Sequence, residues 1–234
     1  MKDEIPYIVS TAGLSPDQVE LFRNAGLEIH SLRFIETRIS VSREAGERIR
    51  ELQNKNETVV FTSAHAVKAL ITILTREPEW KTACIGGATK ETLEWHYPSI
   101  PIIATAPNAK ELAESLIKEV KGRVAFFCGN RRLDTLPHLL RDNSIEVEEI
   151  QVYETHLTPV RIHREPAAVL FFSTSAVESY FQLNTLPAEA VCFAIGETTA
   201  EALKQKAANK IITASHPGKN EVVELVIKYY HEHS

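Results

Sequence analysis

Residues 59–70, VVFTSAHAVKAL, recur as residues 169–180, VLFFSTSAVESY, and this repetition constrains the chain more than any other feature. The alignment sets Phe61 on Phe171, Ser63 on Ser173, Ala66 on Ala176 and Val67 on Val177, all 110 positions apart (171 − 61 = 110). The same shift carries Ile85-Gly86 onto Ile195-Gly196, Thr89 onto Thr199, Glu91 onto Glu201 and Leu93 onto Leu203. It then carries Glu111 onto Glu221 and Glu114 onto Glu224. Three segments sharing one offset imply an internal duplication. A shorter echo, FIET at 34–37 and VYET at 152–155, has an offset of 118 (155 − 37 = 118). The fall from 118 to 110 removes eight residues where the first half has a polar helix near 42–54. Its counterpart, Leu157 to Pro166, is too short for one and holds Pro159 and Pro166.

The 234 residues correspond to about two domains of ~100–150 residues each. Short apolar runs alternate with amphipathic ones from the start. Tyr7-Ile8-Val9 reads as a strand, and Ser15-Pro16-Asp17 opens a helix that stops at Gly26. Leu27 to Phe34 alternates as a second strand. Strands at 58–62, 82–85 and 101–103 alternate with helices at 64–76, 88–95 and 108–120. A strand at 124–128, a helix at 131–142 and a strand at 146–152 come next. Strands at 168–172, 190–194 and 210–212 are each followed by a helix. Such alternation predicts parallel sheets covered by helices on both faces.

Several function classes are disfavoured. A net charge of −5 gives no global field for nucleic acid. No apolar run approaches the ~18 residues of a membrane span, and MKDEIPYIV lacks the regions of a signal peptide. Cys84, Cys128 and Cys192 sit in apolar runs without metal spacing, which predicts reduced core thiols and a cytoplasmic protein. The nine histidines show no metal pattern, and no Walker loop, G-x-G-x-x-G or nucleophile elbow is present.

In open α/β sheets, ligands bind beyond the carboxyl ends of the strands, near helix N-termini. The repeated polar residues fall there: Ser63-Ala64-His65 and its counterpart Ser173-Thr174-Ser175, then Gly86 with Thr89, matched by Gly196 with Thr198 and Thr199. Gly129-Asn130-Arg131 follows a third strand. Turns of this kind present unpaired N–H groups and hydroxyls suited to an anion. One helix end contributes about 0.3–1 kcal/mol, so several would have to act together on a polycarboxylate. Each residue also has a plain structural reading. Ser63, Ser173 and Thr198 are ordinary N-caps, Arg131 and Arg132 a solvated helix start, and Tyr153 a packed side chain.

Taken in order, VVFTSAHAV, IGGAT, FFCGNRRLDTLPHLL with VEEIQVYET, FFSTSAV and AIGETTAEAL resemble the uroporphyrinogen-III synthase family over nearly the whole chain. The resemblance implies an α/β fold of two flavodoxin-like parallel-sheet domains, internally duplicated and joined by a two-stranded β linker. Residues 1–35 and 158–234 would form a discontinuous domain, residues 40–150 an inserted one, and 34–39 with 151–157 the linker strands. It implies a cofactor-independent lyase that closes linear hydroxymethylbilane into uroporphyrinogen III, inverting ring D and losing water. Tyr153 matches the tyrosine proposed in the family to assist departure of the hydroxyl. Ser63, Thr89, Ser173 and Thr199 match substrate-cleft positions, and His65 stands where relatives can carry arginine. The partner would be a linear tetrapyrrole polycarboxylate, with no nucleic acid and no membrane. Handover from the preceding pathway enzyme and a monomeric state complete the expectation.

Two readings without catalysis stand beside this one. A two-domain binding protein for small anions would share the strand-end sites, but such proteins are usually exported. A regulatory module of receiver-like domains wants an acidic pocket after its first strand, whereas that strand ends Val9-Ser10-Thr11.

Overall fold

A computed structural model describes residues 5–233. Residues 1–4 and 234, assigned above to the ends of the discontinuous domain, lie outside the described residues, as does the start of MKDEIPYIV. The chain begins with β1 (Tyr7–Ser10), α1 (Pro16–Asn24), β2 (Glu28–Ser31) and β3 (Ile35–Ile39). It continues with α2 (Arg43–Leu52), β4 (Thr58–Phe61), α3 (Ala64–Ile71), β5 (Lys81–Ile85), α4 (Ala88–His96) and β6 (Ile102–Ala106). Next come α5 (Ala109–Glu119), β7 (Arg123–Gly129), α6 (Thr135–Asp142) and β8 (Glu146–Leu157). The last segment is β9 (Ala168–Phe171), α7 (Thr174–Leu183), β10 (Val191–Ala194), α8 (Glu197–Lys204), β11 (Ile211–Thr213) and α9 (Lys219–Glu232).

Local chemistry sets several of these boundaries. Ser15 accepts from the Gln18 N–H while the Gln18 side chain accepts from the Ser15 N–H, a reciprocal cap that fixes the start of α1. Gly26, with φ +71°, takes the left-handed conformation that ends it. Helix α3 stops at Ile71, five residues before the predicted end at 76 (76 − 71 = 5). The Thr72 hydroxyl there donates to the Ala69 carbonyl at 2.7 Å, a local bond that competes with helix continuation.

Two compact units result: Met1–Glu36 with His156–Ser234, and Thr37–Thr155. The first holds a five-stranded parallel sheet in the order β11-β10-β9-β1-β2. The second holds β8-β7-β4-β5-β6, again parallel, with β3 added at the β8 edge. Beside β8, Ser40 N–H donates to the Val152 carbonyl at 3.1 Å, and the Thr37 and Thr155 hydroxyls lie 3.4 Å apart. In the first unit Thr158 N–H donates to the Phe34 carbonyl at 2.9 Å. The paired numbers keep one sum (40 + 152 = 37 + 155 = 34 + 158 = 192), so β3 and β8 run antiparallel.

Both faces of each sheet are covered, which is why the strands read as unbroken apolar runs. In the second unit Val59, Phe61, Ala125 and Phe127 pack on one face, and Val60, Val124, Phe126 and Cys128 on the other. In the first, Val169 and Phe171 face one layer while Ala168 and Leu170 face the opposite one. Trp80, 2% exposed, closes the lower core of the second unit and donates its indole N–H to the Leu52 carbonyl at 2.8 Å. The three cysteines are free and buried.

Candidate active site

In the second unit β8 and the ends of β4 and β7 bring five of the predicted residues together: Ser63, His65, Gly129, Asn130 and Tyr153. β4 and β7 are neighbours, and β7 pairs with β8 in a register that sets Gly129 opposite Tyr153. The half-buried Tyr153 ring lies against Gly129 so closely that a Cβ there would sit 2.9 Å from Cδ2 and nearer still to Cε2 and Cζ. Glycine is required at 129 by this approach, since real Cβ contacts are not so short. His65, at the start of α3, places its ring centroid 5.7 Å from that of Tyr153. Burial pushes the Tyr153 phenol above its ordinary pKa of 10.0, and the hydrogen-bonded Ser63 hydroxyl pulls weakly the other way. The group is therefore a protonated donor through the neutral range. Burial, then the Lys68 charge, lowers the His65 pKa from 6.5, so the imidazole is neutral at about pH 7.

Ser63 also caps α3, its hydroxyl accepting from the His65 N–H at 3.2 Å. Asn130 holds the other side of the site. Its N–H donates to the Tyr153 carbonyl at 3.3 Å, and its side-chain oxygen accepts from the Thr155 N–H at 2.8 Å. These bonds extend the ladder past β7 and correct one expectation. The helix predicted from Arg131 begins only at Thr135, because Asn130 ties the chain to β8 and the next residues turn. Arg131 is exposed and starts no helix, and Arg132 pairs with Glu149 and Asp134.

Other candidates fall elsewhere. The Gly86 N–H is spent on the Ala106 carbonyl at 2.9 Å, so it is not a free anion donor. Thr89 and Thr199, at equivalent places in the two units, are 6% and 4% exposed and face inward. Ser173 caps α7 through the Ala176 N–H at 3.1 Å, with Thr174 and Ser175 beginning the helix. The N-cap of α8 is Gly196, so Thr198 lies inside the helix and does not cap it; the glycine carbonyl already accepts from Thr199 and Ala200. Ala64 is the first residue of α3. Cys128 borders the site, but burial raises its pKa to about 11, which leaves a thiol rather than a nucleophilic thiolate.

A recess of about 600 Å³ beside α2 and β8 includes Glu44, Glu148, Glu149 and Glu154 in its lining. The one arginine in it, Arg48, is hydrogen-bonded to Glu148 through both Nε and Nη2. Such a wall repels a polycarboxylate, and Tyr153 does not line it. Among the described residues no group of three or more His, Cys, Asp or Glu is placed to hold a metal. No helix among them is long and apolar enough to cross a membrane.

The strand order and the helices on both faces of each sheet match the fold of two solved structures. A mutant uroporphyrinogen III synthase from the extremely thermophilic bacterium Thermus thermophilus matches with a TM-score of 0.69 at 17% identity, over 98% of this chain and 100% of that one. Uroporphyrinogen-III synthetase from Helicobacter pylori matches with a TM-score of 0.66 at 17% identity, over 96% and 100%. Identity that low speaks for the fold. The family model described as uroporphyrinogen-III synthase HemD matches residues 17–224, and the chain belongs to that family.

Proposed function

We propose that the chain converts hydroxymethylbilane to uroporphyrinogen III with inversion of ring D and loss of water. The family match over residues 17–224 carries this reading. The tyrosine donor fits its chemistry. Loss of the hydroxymethyl oxygen as water needs a proton, and the azafulvene left behind is attacked by ring D through a spiro carbon. No electron is gained or lost, so the step asks for a positioned acid and a fixed orientation rather than a redox cofactor. Tyr153 supplies the donor, with Ser63 and His65 beside it. The remaining substrate contacts fall to Ala64, Thr89, Gly129, Asn130 and Arg131 of the second unit. In the first unit they fall to Ser173, Thr174, Ser175, Gly196, Thr198 and Thr199. Incubating the protein with hydroxymethylbilane and resolving the isomers is the direct test. Isomer I alone, at the spontaneous rate, would end this reading.

The proposal extends to architecture and setting. Residues 1–35 and 158–234 form one duplicated domain and 40–150 the other, with 34–39 and 151–157 as linker strands. The shared strand order supports it: β2-β1-β9-β10-β11 matches β8-β7-β4-β5-β6 place for place. The registers agree as well. Val59 faces Thr82 as Val169 faces Cys192, both shifted by 110 (169 − 59 = 192 − 82 = 110). The protein acts in the cytoplasm as a monomeric, cofactor-independent lyase and takes its unstable substrate from the enzyme that makes it. Sedimentation at micromolar concentration tests the monomer.

If hydroxyls and backbone donors share the ligand, losing one costs about 1 kcal/mol. Ser63→Ala and Thr199→Ala are expected to lower kcat/KM roughly tenfold or less. Each is read beside a thermal melt, since the Ser63 cap alone is worth ~1 kcal/mol. Complete inactivity with an unchanged melt contradicts the shared load.

The raised Tyr153 pKa fixes the sign of a pH effect. Deprotonation removes the donor, so turnover stays level from neutral pH to about 9 and falls only above about 10. Tyr153→Phe has no donor left to lose and shows no such alkaline limb. A fall centred near about pH 8 that persists in the variant assigns the titration to another group.

A further inference from the structure

We infer that Lys219 forms a carboxylate-binding site at the strand ends of the first unit, a site that neither the repeat nor the family motifs single out. The inference rests on the proposed function for the identity of its ligand.

The order β11-β10-β9-β1-β2 reverses direction between β1 and β9. That switch point is where an open parallel sheet leaves a crevice for ligands. Lys219 is the first residue of α9, the helix after the edge strand β11, yet its side chain reaches the segments that follow both strands at the switch. Its ammonium donates to the carbonyl of Gly13, just after β1, at 2.6 Å. It also lies 5.9 Å from the ring of Phe172, the residue after β9. Gln18 of α1 donates to the Asn220 side chain at 2.7 Å, which pins the same helix start.

No acid answers this charge. Among the described residues Lys219 and Arg33 make no ion pair. Partial burial, and then the Arg33 charge, lowers the pKa of Lys219. Glu221, the acid closest along α9, folds its carboxylate back onto Gly218. A lysine has three N–H donors, and one carbonyl uses one of them. Gly218 caps α9 without a side chain of its own, and the Glu221 carboxylate already lies over that helix start, so the ammonium rather than the helix end has donors to spare. An ammonium with donors to spare and no paired carboxylate, exposed to solvent at a ligand crevice, fits an acetate or propionate of a polycarboxylate.

Two measurements test the site. In steady-state kinetics with hydroxymethylbilane, Lys219→Met is expected to raise KM on the order of tenfold or more with kcat little changed. Lys219→Arg restores most of the affinity. An unchanged KM in Lys219→Met, with or without a lower melting temperature, makes the lysine a loop staple and overturns the inference. The second measurement uses the parent protein and no turnover, so it survives a variant that does not fold. Reductive methylation of lysines is followed by mass spectrometry with and without benzenehexacarboxylate as a stable polycarboxylate probe. Slower modification of Lys219, with exposed Lys118 on α5 unaffected, supports the site; equal rates at Lys219 overturn it. If the parent makes no uroporphyrinogen III but the probe shields Lys219, the proposed function fails and the anion site stands.

Discussion

Replacing Tyr153 with phenylalanine is expected to slow formation of uroporphyrinogen III about a hundredfold while leaving the fold intact. The ring stays, so its contacts with Gly129 and His65 persist and only the hydroxyl beside Ser63 is lost. Positioned proton donors contribute ~10²–10⁴-fold. The lower end applies because the hydroxyl also departs without an enzyme. Product identity gives a second readout. Bilane that stays bound still closes to isomer III, so isomer I rises only as free substrate cyclises, and excess enzyme suppresses it. A single-turnover rate equal to the parent's removes the acid role and leaves Tyr153 as a packed residue.

Gly129→Ala is expected to do comparable damage by a different route. The new methyl group overlaps the edge of the Tyr153 ring, so the ring or strand β7 has to move. Overpacking of this kind costs ~1–3 kcal/mol, and a ~1 Å displacement of a catalytic group can cost about 10²-fold in rate. Both melting temperature and turnover should fall. The double variant Gly129→Ala with Tyr153→Ala isolates the cause, since residues in contact give non-additive effects. Once the ring is gone the added methyl has room, and the double variant should melt no lower than Tyr153→Ala alone. Parent-like turnover in Gly129→Ala would contradict the close approach.

Strand positions were legible because both faces of a parallel sheet are buried. Runs such as VVF at 59–61 and VLFF at 169–172 carry that burial in composition alone. Helix starts were legible where a side chain makes the cap, as at Ser15, Ser63 and Ser173. They were not where a glycine does. Gly196 and Gly87 cap α8 and α4 with no side-chain bond, so in the sequence Thr198 reads as the cap instead. The stretch after β7 misled for another reason. Asn130 reads as a turn residue, but its side chain bonds to Thr155, 25 positions away, and no local pattern announces a long-range clasp. The cluster at Tyr153 was partly legible, since Ser63, Gly129 and Tyr153 stand at the ends of three predicted strands. That those strands are neighbours depends on sheet order, which periodicity does not encode. Lys219 is illegible in the sequence for the same reason: its partners Gly13 and Phe172 lie 206 and 47 positions away (219 − 13 = 206; 219 − 172 = 47).

The strand order of the first unit bears on how the chain is made. Strand β1 pairs with β9, and Ile8 faces Ala168 across 160 positions (168 − 8 = 160). During synthesis β1 and β2 leave the ribosome with one flank of their sheet absent, and the missing flank is not translated until after residue 167. All of Thr37–Thr155 emerges in between and holds every strand partner it needs for its own core. That inserted unit is therefore able to fold first. Once it has folded, the chain separating β1 from β9 is no longer a loose loop of over a hundred residues, and its closure entropy is correspondingly smaller. An early strand with a late partner is an exposed edge in waiting, and rapid completion of the insert shortens the wait.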